Sequence, residues 1–299
     1  MSAIEELGSA VEAVTTKVGT SVVGIGRDNR GSGVVTADRQ VLTNAHNLRG
    51  GEVTVTFADG RSTIGTVAAV DPDGDLAVVK VDTSGATPIE WSSGDAAKVG
   101  DAVFGIGTTR GGGVRVTFGL VSAIERAFRG PGGRRIAGSI EHTAPLAPGS
   151  SGGALVDANG KLVGLNTNRI GEGFYLALPA DAALKTRVDA LGRGESAKRQ
   201  RLGVAIAPNH VARRLRRSVG LPERDGILVR GIEEGSAAAT AGVEVGDLIV
   251  RAGDREIRDA DDLQDALAAL EPPFDLGIVR GADEMTLTVA KTGRTPGDA

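Results

Sequence analysis

The sequence predicts a mainly β protein of two domains, and three observations predict it. Val- and Thr-rich runs recur at short intervals as far as Leu178, with turns such as Asp59-Gly60 between them, the pattern of a barrel or sandwich. Forty-five glycines stand against six Phe, one Tyr and one Trp, which suits many tight turns between such strands. A polar, Gly-containing stretch at 193–200 then reads as a linker that divides the chain in two. At 299 residues the chain is long enough to fill two cores.

Taken in order, Ile4, Leu7, Val11, Val14 and Val18 fall three and four residues apart, so 4–18 is expected to be an amphipathic helix. From Thr20 the pattern becomes that of strands: 21–25, 33–36, 53–57 and 64–70, with a second set from Ala102 to Leu178. Residues 181–191 read as a helix with Leu184, Val188 and Leu191 on one face. The net charge of −4 argues against a nucleic-acid partner, and the basic run from Arg213 to Arg217 reads as a solvated helix face. Cysteine is absent, so no disulfide framework or thiolate metal site is expected. No run reaches the ~18 apolar residues of a membrane span. Glu5 and Glu6 stand where a signal peptide carries basic residues, so the expectation is a cytoplasmic protein, with a periplasmic or secreted one as the alternative if a leader is missing.

The chemistry centres on Pro148-Gly149-Ser150-Ser151-Gly152-Gly153. A hydroxyl nucleophile needs a bend that exposes it, a nearby base and amide donors aimed at the developing oxyanion. The glycines allow the bend, and the amides of Gly149, Ser150 and Ser151 are the expected donors. Of three histidines, His210 opens a basic helical run and His142 lies on the strand leading into the loop, whereas His46 ends the strand-like Val41-Leu42-Thr43-Asn44-Ala45 in a polar turn. His46 is the candidate base. Asp75, between the turn Asp71-Pro72-Asp73-Gly74 and the apolar Leu76–Val81, is the candidate carboxylate; turn chemistry accounts for Asp71 and Asp73. Gly105-Ile106-Gly107 has no βαβ pattern around it, so a nucleotide site is not expected there.

Thr43-Asn44-Ala45-His46, Asp75-Leu76-Ala77-Val78 and Gly149–Leu155 resemble, in order and spacing, the three catalytic segments of the HtrA (Deg) serine proteases. The resemblance implies a trypsin-like double β-barrel protease domain over 1–192, a linker over 193–200, an α+β PDZ domain over 201–294 and a tail over 295–299. It also implies an endopeptidase that cleaves unfolded or misfolded proteins through an acyl-enzyme on Ser151, with no cofactor and no metal. Leu146, Leu165, Asn166, Thr167 and Phe174 match the walls of the family's primary specificity pocket, whose apolar character would favour small aliphatic side chains. Tyr175 stands where relatives have Gly, Ser150 where they have Asn, and Asn47 where an aliphatic follows the histidine. Arg201, Leu202, Gly203 and Val204 match the loop that binds a peptide's C-terminal carboxylate, with 204–206 taking the peptide as an added strand. Family members use the N-terminal segment to build homotrimers, often through aromatics, and here no aromatic precedes Phe57. The rival reading keeps the fold for a latent or non-catalytic holdase.

Overall fold

A computed structural model describes residues 2–92, 97–110, 112–130, 133, 135–196, 201–207 and 209–290, with Asp28 through its backbone alone. The chain divides into two compact units, Met1–Ala197 and Lys198–Ala299, so the division falls inside the expected linker. Residues 197–200 of that linker, and the expected tail at 295–299, lie outside the described residues.

The first unit opens with helix α1 (Ala3–Val18), whose start is fixed by a capping box: the Ser2 hydroxyl accepts from the Glu5 amide and the Glu5 carboxylate from the Ser2 amide. The expected apolar face is only half used. Val14 and Val18 are buried in the core, while Ile4 and Leu7 are exposed, because the barrel beneath meets only the C-terminal half of the helix.

Six strands follow: β1 (Val22–Ile25), β2 (Gly31–Ala37), β3 (Gln40–Thr43), β4 (Glu52–Thr56), β5 (Ser62–Asp71) and β6 (Leu76–Lys80). They close into an antiparallel barrel in the order β1-β2-β3-β6-β5-β4. Six more, β7 (Ala102–Thr108), β8 (Val114–Arg129), β9 (Arg135–His142), β10 (Ala154–Val156), β11 (Leu162–Arg169) and β12 (Tyr175–Pro179), close a second barrel with the same connectivity. Closure removes the free edges that would otherwise pair with other chains. Val23, Ile25, Val35, Val41, Val55 and Val79 fill the first barrel, and Val103, Val121, Ile140, Leu155 and Ala177 the second. A third apolar cluster runs from Val14 and Val18 through Val34 and Leu42 to Phe104, Ile106 and Leu165, which joins the barrels into one body. Helix α2 (Ala182–Gly192) ends the unit, capped by the Asp181 side chain and burying Leu184, Val188 and Leu191 as its sequence pattern requires.

In the second unit the strands run β13 (Val204–Ala207), β14 (Ile227–Ile232), β15 (Leu248–Ala252), β16 (Arg255–Glu256), β17 (Phe274–Arg280) and β18 (Asp283–Val289), with helices α3 (Asn209–Ser218), α4 (Ala237–Ala241) and α5 (Ala260–Ala269) among them. The sheet order is β13-β14-β15-β17-β18, which leaves β13 at an edge. On α3, Arg213 and Arg217 pair with Asp225 and Glu223, and Arg216 is buried against the carbonyls of Pro222 and Gly281, so most of this basic run is occupied within the fold. Among the described residues, no helix is long and apolar enough to cross a membrane.

Candidate active site

The first barrel carries the candidate base and the candidate carboxylate. β3 ends at Thr43, and a short helical turn, Ala45–Asn47, carries His46 to the barrel rim with its side chain 29% exposed. Asp75 sits at the mouth of β6 with φ of 54°, a left-handed conformation uncommon outside glycine and the kind of strain that collects at working sites. It is over-determined by its surroundings: the Asp75 carbonyl accepts from the Asn44 side chain and the Ala45 amide. Its carboxylate, almost wholly buried, accepts from His46 Nδ1 at 2.8 Å and from the His46 amide at 3.1 Å. Thr167 Oγ1 donates to the same carboxylate at 3.1 Å. Three donors therefore satisfy a buried acid, fix Nδ1 of His46 as the protonated nitrogen and leave Nε2 as the acceptor. Asp71 meets the turn role expected of it, accepting from the Gly74 amide, and it also pairs with Arg187 of α2.

The second barrel carries the candidate nucleophile, Ser151. Gly149 and Gly152 have φ of 90° and 85°, which only glycine adopts freely, and they turn the chain sharply on either side of Ser151. The glycines of β7 serve the same loop: a Cβ on Gly107 would lie 2.6 Å from the Ser150 hydroxyl. Gly105-Ile106-Gly107 is thus explained by packing of the nucleophile loop. Of the three expected oxyanion donors, the Ser150 amide is already committed to the Ala147 carbonyl at 3.1 Å, so the three do not converge. The Gly149 and Ser151 amides meet no acceptor among the described residues. The Ser151 hydroxyl donates to the Thr167 carbonyl at 2.7 Å, and no hydrogen bond joins it to His46.

The expected pocket residues divide. Leu146 is half-buried beside Gly105, and Phe174 is 43% exposed, so both present apolar surface. Leu165 is wholly enclosed in the core and offers no side-chain surface to a substrate. Asn166 is also enclosed: its Nδ2 donates to the Ala154 carbonyl, and its backbone bonds Gly152 and Gly153, so it anchors the nucleophile loop. Thr167 serves Asp75 through its hydroxyl and Ser151 through its carbonyl. In the second unit, Gly203 has φ of 76° and Leu202 is buried, while the amides of both meet no acceptor among the described residues. No group of three or more metal-binding side chains occurs among the described residues.

His142 is fully buried, stacked on Tyr175 at 5.9 Å between centroids, and neither ring nitrogen has a hydrogen-bond partner. Burial pushes its pKa down to about 4, and Asn166, beside the ring but out of hydrogen-bond alignment, offsets this only in part. The unfolded chain takes up a proton near pH 6.5 and the folded one only near 4, so stability is full above 6.5 and falls as pH drops through that window. The loss approaches roughly 3 kcal/mol at the acid end. Urea unfolding of full-length Ser151→Ala protein at pH 7 and 4.5 checks this: His142→Gln is expected to flatten the pH dependence, and an unchanged slope would assign the acid lability to other groups.

Comparison with known proteins agrees with this geometry. Residues 31–165 match the trypsin-like peptidase domain and residues 228–280 the PDZ domain. The chain is 34% identical over 298 residues to serine protease PepD of Mycobacterium tuberculosis, covering 88% of this chain and 61% of that one. It is 31% identical over 283 residues to the putative serine protease HhoB of Synechocystis, covering 90% and 67%. The chain thus spans about two thirds or less of the length of these relatives. Among solved structures, the HtrA-type protease AlgW with a decapeptide superposes with a TM-score of 0.77 at 27% identity, covering 96% of this chain and 99% of that one. A complex of AlgW with a tripeptide reaches 30% identity at a TM-score of 0.69, covering 96% and 98%.

Proposed function

From the premise that the chain belongs to the HtrA-type serine proteases, we propose that it is a serine endopeptidase acting on unfolded or misfolded polypeptides. The observation that carries this reading is the His46–Asp75 pair, fixed at 2.8 Å with Nε2 free, on the barrel rim facing a nucleophile loop with two uncommitted amides. In the proposed reaction Ser151 Oγ rotates away from the Thr167 carbonyl and attacks the scissile carbonyl, and His46 Nε2 takes its proton. The Gly149 and Ser151 amides hold the oxyanion. His46 then gives the proton to the leaving amine, and water releases the acyl group by the same steps reversed. Hydrolysis of casein by wild type and not by Ser151→Ala is the deciding experiment. The resting Ser151–Thr167 bond favours a second reading, a latent form that holds peptides until it is switched on; addition of C-terminal peptides should then raise the rate from near zero.

The second unit is proposed to bind C-terminal peptides. The edge position of β13 supports strand addition, and the free amides of Leu202 and Gly203 support carboxylate capture. A peptide ending in a free carboxylate is expected to bind at least tenfold more tightly than its C-terminal amide, since the amide lacks the charge those donors select. Equal affinities by calorimetry would remove this mode.

Assembly as a homotrimer belongs to the same reading, supported by the apolar surface that Ile4 and Leu7 leave uncovered. Sedimentation at the 30.4 kDa of a single chain would remove it. We also propose an exported location, the alternative of the two compartments expected from the sequence; a relative from Halomonas elongata carries the name of a periplasmic endoprotease. Recovery of the chain only in the cytosolic fraction would overturn that location.

A further inference from the structure

We propose that Asn47 is a positioning residue that ties the general base to the backbone of the nucleophile. The proposal rests on the protease reading above. Asn47 follows His46 directly and is 4% exposed. Its Nδ2 donates to the Ser151 carbonyl at 2.9 Å and to Thr43 Oγ1 at 3.0 Å. The Thr43 hydroxyl proton is spent on the Ser32 carbonyl at 2.7 Å, so Thr43 Oγ1 acts as acceptor and both amide hydrogens of Asn47 are used. The reversed side-chain orientation would set Oδ1 against the Ser151 carbonyl, acceptor against acceptor, so the bond fixes the amide's orientation.

The site is built for this side chain. A Cβ on Gly31 would lie 2.3 Å from Asn47 Cγ, and one on Gly152 would lie 2.9 Å from Nδ2, so two glycines clear the space it occupies. The Ser151 carbonyl receives a second donor from the same barrel, the Ser32 amide at 2.8 Å. The Ser32 hydroxyl in turn donates to the Gly149 carbonyl at 2.7 Å.

The Ser151 hydroxyl has to leave the Thr167 carbonyl and reach His46, and it arrives at a defined place only if the Ser151 backbone stays fixed. A shift of about 1 Å at a reacting atom costs on the order of 100-fold in rate. Asn47 shares a peptide bond with the base and holds the carbonyl of the nucleophile, so it sets their separation through one residue. An apolar side chain at 47 would fill the space without supplying the donor.

The test uses the full chain and a chromogenic peptide. Asn47→Leu is expected to lower kcat by roughly 100-fold with KM within about twofold, while the melting profile stays cooperative. Gly31→Ala, which displaces Asn47 without removing its amide, should reproduce the fall in kcat. A wild-type kcat in folded Asn47→Leu would overturn the proposal, as would a loss no larger than the unfolded fraction explains. If wild type itself proves inert, the protease reading fails, and deuterium exchange of the Gly152 and Gly153 amides still decides the clamp: faster exchange in Asn47→Leu supports it and unchanged exchange overturns it.

Discussion

Replacing Ser151 with Ala is expected to lower turnover on unfolded casein by about a million-fold, below what a casein assay detects. The size follows from what the side chain does: without Oγ there is no acyl-enzyme, and neither His46 nor the Gly149 and Ser151 amides has a covalent intermediate to serve. The fold should hardly register the change. The hydroxyl makes one hydrogen bond, to the Thr167 carbonyl, and the Cβ remains, so a stability loss of about 1 kcal/mol is the most expected. Activity and stability therefore separate, and a cooperative melt close to that of wild type makes the loss chemical. Equal cleavage by both proteins would place the activity on another nucleophile or on a contaminant.

The three candidate residues could be picked out of the sequence because each sits in a local pattern with its own physical reason. His46 ends a strand in a polar turn, Asp75 opens an apolar strand, and glycines bracket Ser151. The β architecture was legible from strand spacing, which left barrel and sandwich open until the family resemblance chose between them, and α2 was legible from Leu184, Val188 and Leu191. What stayed hidden was the second layer of contacts. Thr167 was expected as a pocket wall, yet its hydroxyl reaches Asp75, 92 positions away. Asn47 and Ser32 grip carbonyls 104 and 117 positions along the chain. Such pairs arise when two closed barrels meet, and no local periodicity records which residues face across that junction. The same holds for Ser150, whose amide looks available in a glycine-rich loop until the loop folds back on the Ala147 carbonyl. The half-used face of α1 is a further case: the spacing of Ile4, Leu7, Val11, Val14 and Val18 predicts one continuous apolar stripe, and only the barrel's extent determines that burial begins partway along it.

Asp75→Asn is expected to cost about 10,000-fold in kcat while leaving the fold intact. The geometry explains why this variant should be accommodated. Asp75 Oδ1 accepts from the His46 amide at 3.1 Å, so an asparagine keeps its carbonyl oxygen there to avoid setting donor against donor. Its NH2 then occupies the place of Oδ2, which now accepts from His46 Nδ1 and from Thr167 Oγ1. Thr167 can answer by turning its hydroxyl to act as acceptor; His46 Nδ1, 2.8 Å from the new NH2 and 3.0 Å from the retained Oδ1, is expected to present its lone pair to the nearer donor, which moves the ring proton to Nε2. The nitrogen that faces the nucleophile is then already protonated and cannot take the Ser151 proton. Substitution by Ala instead removes the partner outright and frees the ring to rotate, so the two variants lose activity for different reasons. The measurement is kcat for Asp75→Asn on a peptide substrate beside its thermal melt, together with the protonation of the His46 ring by nitrogen NMR. A variant within tenfold of wild type, or one carrying the proton on Nδ1, would show that the carboxylate does not control the tautomer.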